Sequence, residues 1–249
     1  MRLHLARVAG SSPREAGACM YVGAQGQLGT IGGGQLEYMA LDQARALLAS
    51  GQASASMDVP LGPEIGQCCG GRVQVDLVRM ADLPSELAKL EAARQTYPHV
   101  LVFGAGHIGR ALVRALRPLP CTPRLIDSRA EELALAADFP QTLTPLPEAE
   151  LRAAPAGSAY IILTHDHALD FLLGAEALAR TDAAYCGMIG SATKAARFAR
   201  YCRDQGLDPT PLRCPMGLKT ASKEPSVIAA MIVAELWPAL ETVPARALT

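Results

Sequence analysis

The first eighty positions are filled by short runs of alternating apolar and polar residues. HLARVAG (4–10), ACMYVG (18–23) and QLGTIGG (27–33) are separated by Gly, Ser and Pro, as hairpin strands are. QLEYMALDQARALLAS (35–50) changes period: Leu36, Met39, Ala40, Ala44, Leu47 and Leu48 recur at helical spacing. ASMDV (55–59) and RVQVDLVRM (72–80) return to the strand pattern, the second alternating Val73, Val75 and Leu77. LPSELAKLEAARQTYP (83–98) reads as a connecting helix, capped by Ser85 and ended by Pro98.

Beyond it, strand and helix alternate. HVLVFGAG (99–106) is a buried strand that runs into a glycine turn, and HIGRALVRALRPL (107–119) is the helix that follows. PRLIDSR (123–129) is a second strand. SAYIILTHD (158–166) and AAYCGMIG (183–190) are two more, followed by helices at 167–180 and 191–206. SVIAAMIVAELWPAL (226–240) is a long helix with Pro225 in its first turn. Alternation of this kind implies a parallel sheet with helices on its faces. The expected fold is therefore α/β: a small N-terminal α+β module (1–82), a helical linker (83–98) and a C-terminal Rossmann-like parallel-sheet domain (99–249).

Composition excludes more than it selects. Half of the 249 residues are apolar and 19% are charged, as in an ordinary soluble globular protein. The net charge of −1 implies no broad basic surface, so nucleic acid is not an expected partner. No apolar run approaches the roughly 20 residues that span a bilayer. The opening MRLHLARVAGSS has too short an apolar stretch for a secretory signal, and Arg7 interrupts it. A cytoplasmic protein without membrane partners is the expectation.

The seven cysteines are odd in number and irregular in spacing, which argues against a disulfide framework. Cys121, Cys186 and Cys202 lie in apolar patterns and read as small buried hydrophobes. Cys68 and Cys69 do not. They stand in QCCGG (67–71), between a loop and a strand, against Gly70 and Gly71.

Gly104-Ala105-Gly106-His107-Ile108-Gly109 is G-x-G-x-x-G. It follows an apolar strand, opens a helix, and is followed about 20 residues later by Asp127 at the end of the next strand, as the dinucleotide-binding fingerprint requires. Gly104 makes the tight turn, Gly106 lets the backbone approach a phosphate, and Gly109 packs the helix on the sheet. Asp127 is then the acceptor for a ribose. Ligands in such folds bind outside the carboxyl ends of the strands. His165 and Asp166, with Thr164 and His167, occupy one such end, and Gly190 and Ser191 another. His165 and His167 are a candidate metal pair without a visible third ligand. Lys194 is either an anion contact or a surface lysine.

The N-terminal module carries a second glycine-rich set. Ser11-Ser12-Pro13-Arg14 is a turn with one fixed cation. Gly32, Gly33 and Gly34 precede the helix at 35, so their N–H groups form either a ligand cradle or a tight strand-to-helix connection.

Taken together, GSSPREAGACMYV (10–22), GTIGGGQLE (29–37), GQCCGG (66–71), VLVFGAGHIGRAL (100–112), LIDSR (125–129), ILTHDHALD (162–170), GMIGSATKAARF (187–198), PMGL (215–218) and EPSVIAAMIVAEL (224–236) resemble the XdhC/CoxI family of molybdenum-hydroxylase accessory proteins. The resemblance implies an N-terminal XdhC/CoxI module and a C-terminal Rossmann domain. It implies a chaperone that binds molybdenum cofactor in its molybdopterin form. That chaperone holds the cofactor while a cysteine desulfurase supplies the terminal sulfido ligand, then delivers it to xanthine dehydrogenase. It also implies a homodimer, and no turnover of its own. Under that reading QCCGG is a pair of reduced thiols on a glycine-loosened loop. Cys69 is the expected contact to molybdenum or its incoming sulfur, with Arg72 near enough to favour a thiolate. The competing reading is an NAD(P)-dependent oxidoreductase that uses the Rossmann cleft. A third is a metal-dependent hydrolase built on His165 and His167.

Overall fold

The computed structural model describes residues 1–66 and 68–243. The chain divides between Ala88 and Lys89 into two compact units. Among the described residues, no helix is long and apolar enough to cross a membrane.

The N-terminal unit contains β1 (Arg2–Ala9), β2 (Cys19–Val22), β3 (Gln27–Gly29), α1 (Gly34–Ser50), β4 (Ser54–Pro60) and β5 (Arg72–Val78). The strands form an antiparallel sheet in the order β3-β2-β1-β5-β4. Period-2 alternation turns Leu3, Leu5, Met20, Val73, Val75 and Leu77 to one face, where α1 covers them with Leu36, Ala40, Ala44 and Leu47. A register shift between Leu5 and Arg7 restores the alternation of β1 against β5. The strand expected over 27–33 stops at Gly29, because the glycines after it take a left-handed backbone.

α2 (Leu83–Gln95) crosses the boundary between the units. Ser85 is not its cap. The Ser85 N–H donates to Asp82 Oδ1 at 3.1 Å, so Asp82 holds the free end, and Pro84 falls in the first turn where its missing N–H costs nothing.

The C-terminal unit contains β6 (His99–Phe103), α3 (His107–Leu116), β7 (Thr122–Asp127), α4 (Ala130–Ala134), β8 (Gln141–Leu143), α5 (Pro147–Ala153), β9 (Ala159–Ile162), α6 (His167–Ala179), β10 (Tyr185–Met188), α7 (Ala192–Asp204), β11 (Leu212–Arg213) and α8 (Pro225–Glu241). The strands are parallel, in the order β11-β10-β9-β6-β7-β8. The chain winds outward from β6 to β8, then returns to the other side of β6 as β9. A topological switch point lies between β6 and β9, the doubly wound Rossmann arrangement.

Both faces of this sheet are buried, which is why its strands read as continuous apolar runs. Val100, Val102, Ala159 and Ile161 face α3, α4 and α8 through Leu112, Leu116, Leu133, Ile232 and Leu236. Leu101, Phe103, Tyr160 and Ile162 face α5, α6 and α7 through Leu151, Leu173, Phe198 and Cys202. Cys121, Cys186 and Cys202 are buried in these clusters, and burial pushes the Cys121 thiol up to about 11 and the Cys186 thiol up to about 12.

Candidate functional site

In the N-terminal unit, three stretches far apart in sequence meet by backbone. Gly71 lies against the loop after β1: a Cβ there would collide with the Ser11 carbonyl oxygen. A Cβ on Gly10 would lie 3.3 Å from Gly71 Cα. Leu61 fastens the other side, with Gly70 N–H donating to its carbonyl at 2.9 Å and its own N–H donating to Gly71 O at 2.8 Å. Gly32 faces the same turn, its missing Cβ leaving room for Pro13 at 2.9 Å and the Arg14 stem at 3.7 Å. SSPR, GGG and CCGG therefore form one edge.

Two side chains on that edge are available. Cys68 is exposed, whereas Cys69 is half-buried and packs against the sheet core. Cys68 presents its thiol to solvent, and Cys69, the expected contact, also helps to anchor the loop. Arg14 is exposed and makes no ion pair among the described residues. Arg72 is committed elsewhere, to a bidentate pair with Asp58 at 2.7 and 2.9 Å. Ser12 Oγ is buried without a partner.

The triple glycine is not an empty anion cradle. Gly32, Gly33 and Gly34 have φ of 130°, 74° and 63°, so all three glycines are required by the backbone alone. Glu37, reaching back from α1, fills the nest. Its Oε2 accepts from Thr30 Oγ1 at 2.5 Å, from Ile31 N–H at 3.1 Å and from Gly33 N–H at 3.1 Å. Gly32 N–H donates to Thr30 Oγ1 at 3.1 Å. Burial pushes the Glu37 carboxyl upward, but these donors outweigh it and hold it below the usual carboxylate range. The sequence offers no capping box here, because the N-cap is Gly33 and Thr30 stands seven residues before Glu37.

In the C-terminal unit, the glycine turn sits at the switch point. A Cβ on Gly104 would collide with Leu163 O, and one on Gly109 with Gly104 O, so β6, β9 and α3 close on one another only with glycine at both positions. Gly106 precedes α3 and leaves open space where a Cβ would stand. Arg110, buried in α3, donates to Ala105 O at 2.5 Å and pairs with Glu132.

Asp127 is not a free ribose acceptor. Its Oδ2 accepts from Ala105 N–H at 2.6 Å and from Arg129 Nη2 at 2.8 Å; its Oδ1 accepts from Arg129 N–H and Nε, both at 3.0 Å. Burial raises the carboxyl, yet the Arg129 guanidinium and the two N–H groups bring it below its ordinary value.

Nor is Lys194 an anion contact. It is buried, pairs with fully buried Asp170, and donates to Ile189 O at 2.9 Å. Asp170 also accepts from Thr164 N–H at 3.0 Å, and the Thr164 hydroxyl lies 2.7 Å away. This pair staples the turn after β9 to the turn after β10. Gly190 is needed because the Lys194 stem crosses it, 2.7 Å from where a Cβ would stand. Asp166 and Ser191 are helix caps, accepting from Ala168 N–H at 2.7 Å and Lys194 N–H at 3.3 Å. His165 and His167 are exposed. Among the described residues, no group of three or more His, Cys, Asp or Glu side chains is placed to hold a metal ion. What remains open is a crevice of about 420 Å³ lined by Gly106, His107, Arg129, Thr164, His165 and Ile189.

Comparison with known proteins agrees with this architecture. Residues 100–236 match the family model described as the XdhC Rossmann domain, and residues 3–58 match that of the XdhC and CoxI family. The CCGG loop falls outside both matches. YqeB, an uncharacterized protein of Escherichia coli K12, is 25% identical over 244 residues, which cover 91% of this chain and 41% of that protein. The chain thus spans less than half the length of that relative. A crystal structure described as a xanthine dehydrogenase from Bacillus halodurans superimposes with a TM-score of 0.81 at 19% identity, covering 99% of this chain and 93% of the other. At that identity the likeness concerns the fold.

Proposed function

The chain belongs to the XdhC and CoxI family, and we propose that it is an accessory protein for a molybdenum hydroxylase. In this reading it binds molybdenum cofactor, holds it while a cysteine desulfurase supplies the sulfido ligand, and delivers it to xanthine dehydrogenase. It works in the cytoplasm as a homodimer and has no turnover of its own. The observation that supports the reading is the shared edge of SSPR, GGG and CCGG, which presents an exposed Cys68 thiol and an Arg14 guanidinium without an ion pair among the described residues, on glycine-rich backbone.

The donor set fits such a ligand. Cys68 offers sulfur to a soft centre. Arg14 offers a planar fork to a phosphate. Gly70 leaves open space beside the thiol. The cofactor, when bound, supplies the molybdenum–dithiolene chemistry; the chain's part is to orient it and to keep a thiol beside it.

Anaerobic incubation with released molybdenum cofactor, followed by gel filtration, tests the reading. Molybdenum and pterin are expected to co-elute near one per chain and to transfer to cofactor-free xanthine dehydrogenase. Cys68→Ala is expected to weaken retention, and Cys69→Ala to act through the stability of the loop. Absence of retention by the wild-type chain sinks the reading.

A further inference from the structure

β4 is an unguarded sheet edge. It closes the order β3-β2-β1-β5-β4, runs for 7 residues and pairs with β5 without a register shift. Natural sheets blunt such edges with short strands, bulges, lysines or a covering element. β3, at the opposite edge, has only 3 residues. β4 carries a single charge, Asp58, and Arg72 neutralises it from β5. Pro60, which has no N–H to offer, stands last in the strand.

The ladder shows which groups are free. Arg79 N–H donates to Ala53 O at 2.7 Å, and Leu61 N–H donates to Gly71 O at 2.8 Å. Hydrogen-bonded pairs alternate along an antiparallel ladder, so Ala55, Met57 and Val59 turn their N–H and C=O groups to β5. Those of Ser54, Ser56 and Asp58 turn outward, and among the described residues they meet no backbone partner. On the face covered by α1, Ala55 and Met57 are only half-buried.

This edge is complementary to itself. Let a second copy lie antiparallel to it, with Met57 opposite Met57. Ser56 and Asp58 of the second copy then exchange backbone hydrogen bonds with Asp58 and Ser56 of the first. Ser54 N–H donates to Pro60 O, so the position without a donor meets a residue that needs only its carbonyl. Ala55 faces Val59 on the α1 side, apolar against apolar, and Ser56 faces Asp58 on the other. No like charges stand directly opposed.

We propose that two copies of the chain join across β4, fusing their five-stranded sheets into one through an isologous two-fold contact. This names the surface of the homodimer in the proposed function. The number of copies rests on that reading; the surface rests on the edge itself.

Sedimentation equilibrium of the full chain, with its cysteines reduced, tests the pairing. The wild type is expected at twice the chain mass at micromolar concentration. Met57→Lys sets two ammonium groups against each other across the axis and is expected at the mass of one chain. Cross-linking in a Cys68→Ser background reads the register. Facing Cα atoms of a non-hydrogen-bonded pair stand about 4.5 Å apart, within disulfide reach, so Met57→Cys is expected to link two copies under copper–phenanthroline. The two copies of residue 55 stand roughly 14 Å apart along the strands, so Ala55→Cys is expected not to link. A monomeric wild type overturns the proposal and leaves the edge to a strand of another protein. A dimer that does not link through Met57→Cys, or links as readily through Ala55→Cys, overturns it as well. The cross-link decides the matter if Met57→Lys fails to fold. A monomer that retains molybdenum cofactor keeps the cofactor reading and removes this surface; a dimer linked through Met57→Cys whose wild type retains none leaves only this inference.

Discussion

Glu37 occupies, with its own carboxylate, a nest of N–H groups of the kind that elsewhere receives a ligand's anion. Its folded pKa is depressed, so the stability it contributes is complete above the unfolded value of about 4.3 and is lost as pH falls through the folded value. Asp127 acts in the same direction from about 3.9 downward. Glu37→Ala leaves the partly buried Thr30, Ile31 and Gly33 donors unmatched and is expected to cost about 1 kcal/mol at pH 7. It is also expected to lose less than the wild type between about pH 4 and 2. Denaturant titrations at pH 7 and pH 3 measure both, and parallel acid profiles would count against the role of Glu37. Gly71 is constrained by space, since a Cβ would meet the Ser11 carbonyl. Gly71→Ala is expected to cost about 1–3 kcal/mol and to change the rate at which Cys68 is alkylated. Gly33→Ala meets open space, bears only the strain of a left-handed φ of 74°, and is expected to leave that rate unchanged.

The helices and strands divide by length into those the sequence declares and those it hides. β6, β9 and β10 are apolar on both faces and end at glycine or turn residues, so pattern alone locates them. β8, β11, α4 and α5 have 3, 2, 5 and 7 residues, too few for a period to develop. Asp166 and Ser191, read from the sequence as ligand-facing residues, cap α6 and α7 by accepting from free N–H groups. The local partners of Asp127 and the triple glycine, Arg129 and Glu37, lie two residues from Asp127 and four from Gly33, and spacing alone does not show that they turn back onto these groups; the partner of Lys194 lies on another element. Asp170 and Lys194 are 24 residues apart and sit after different strands, a distance no spacing rule spans. Removing one partner strands a buried charge. Asp170→Ala is expected to cost about 3–5 kcal/mol in chemical denaturation. The double variant Asp170→Leu/Lys194→Met is expected to recover most of it, and a double variant no better than the single would refute a buried ion pair.

The chain has separate sets of core residues on either side of the Ala88–Lys89 division. Injury to one set should therefore be confined. Native-state hydrogen exchange on Asp170→Ala is expected to show lost protection at Val102 and Ile161, with Leu3 and Val75 unchanged. Uniform loss at all four would mean that a single cooperative block unfolds. One feature of the N-terminal set reaches further. Cys68 is placed by main chain resting on main chain, Gly71 on Ser11, with Leu61 clamping the other side. The Gly71–Ser11 and Leu61–Gly71 approaches are main chain on main chain, so a side-chain rotamer change cannot absorb an error in them. The loop then works as a gauge block: its length sets where the thiol stands, and one residue added or deleted between Leu61 and Gly71 would carry Cys68 off its mark.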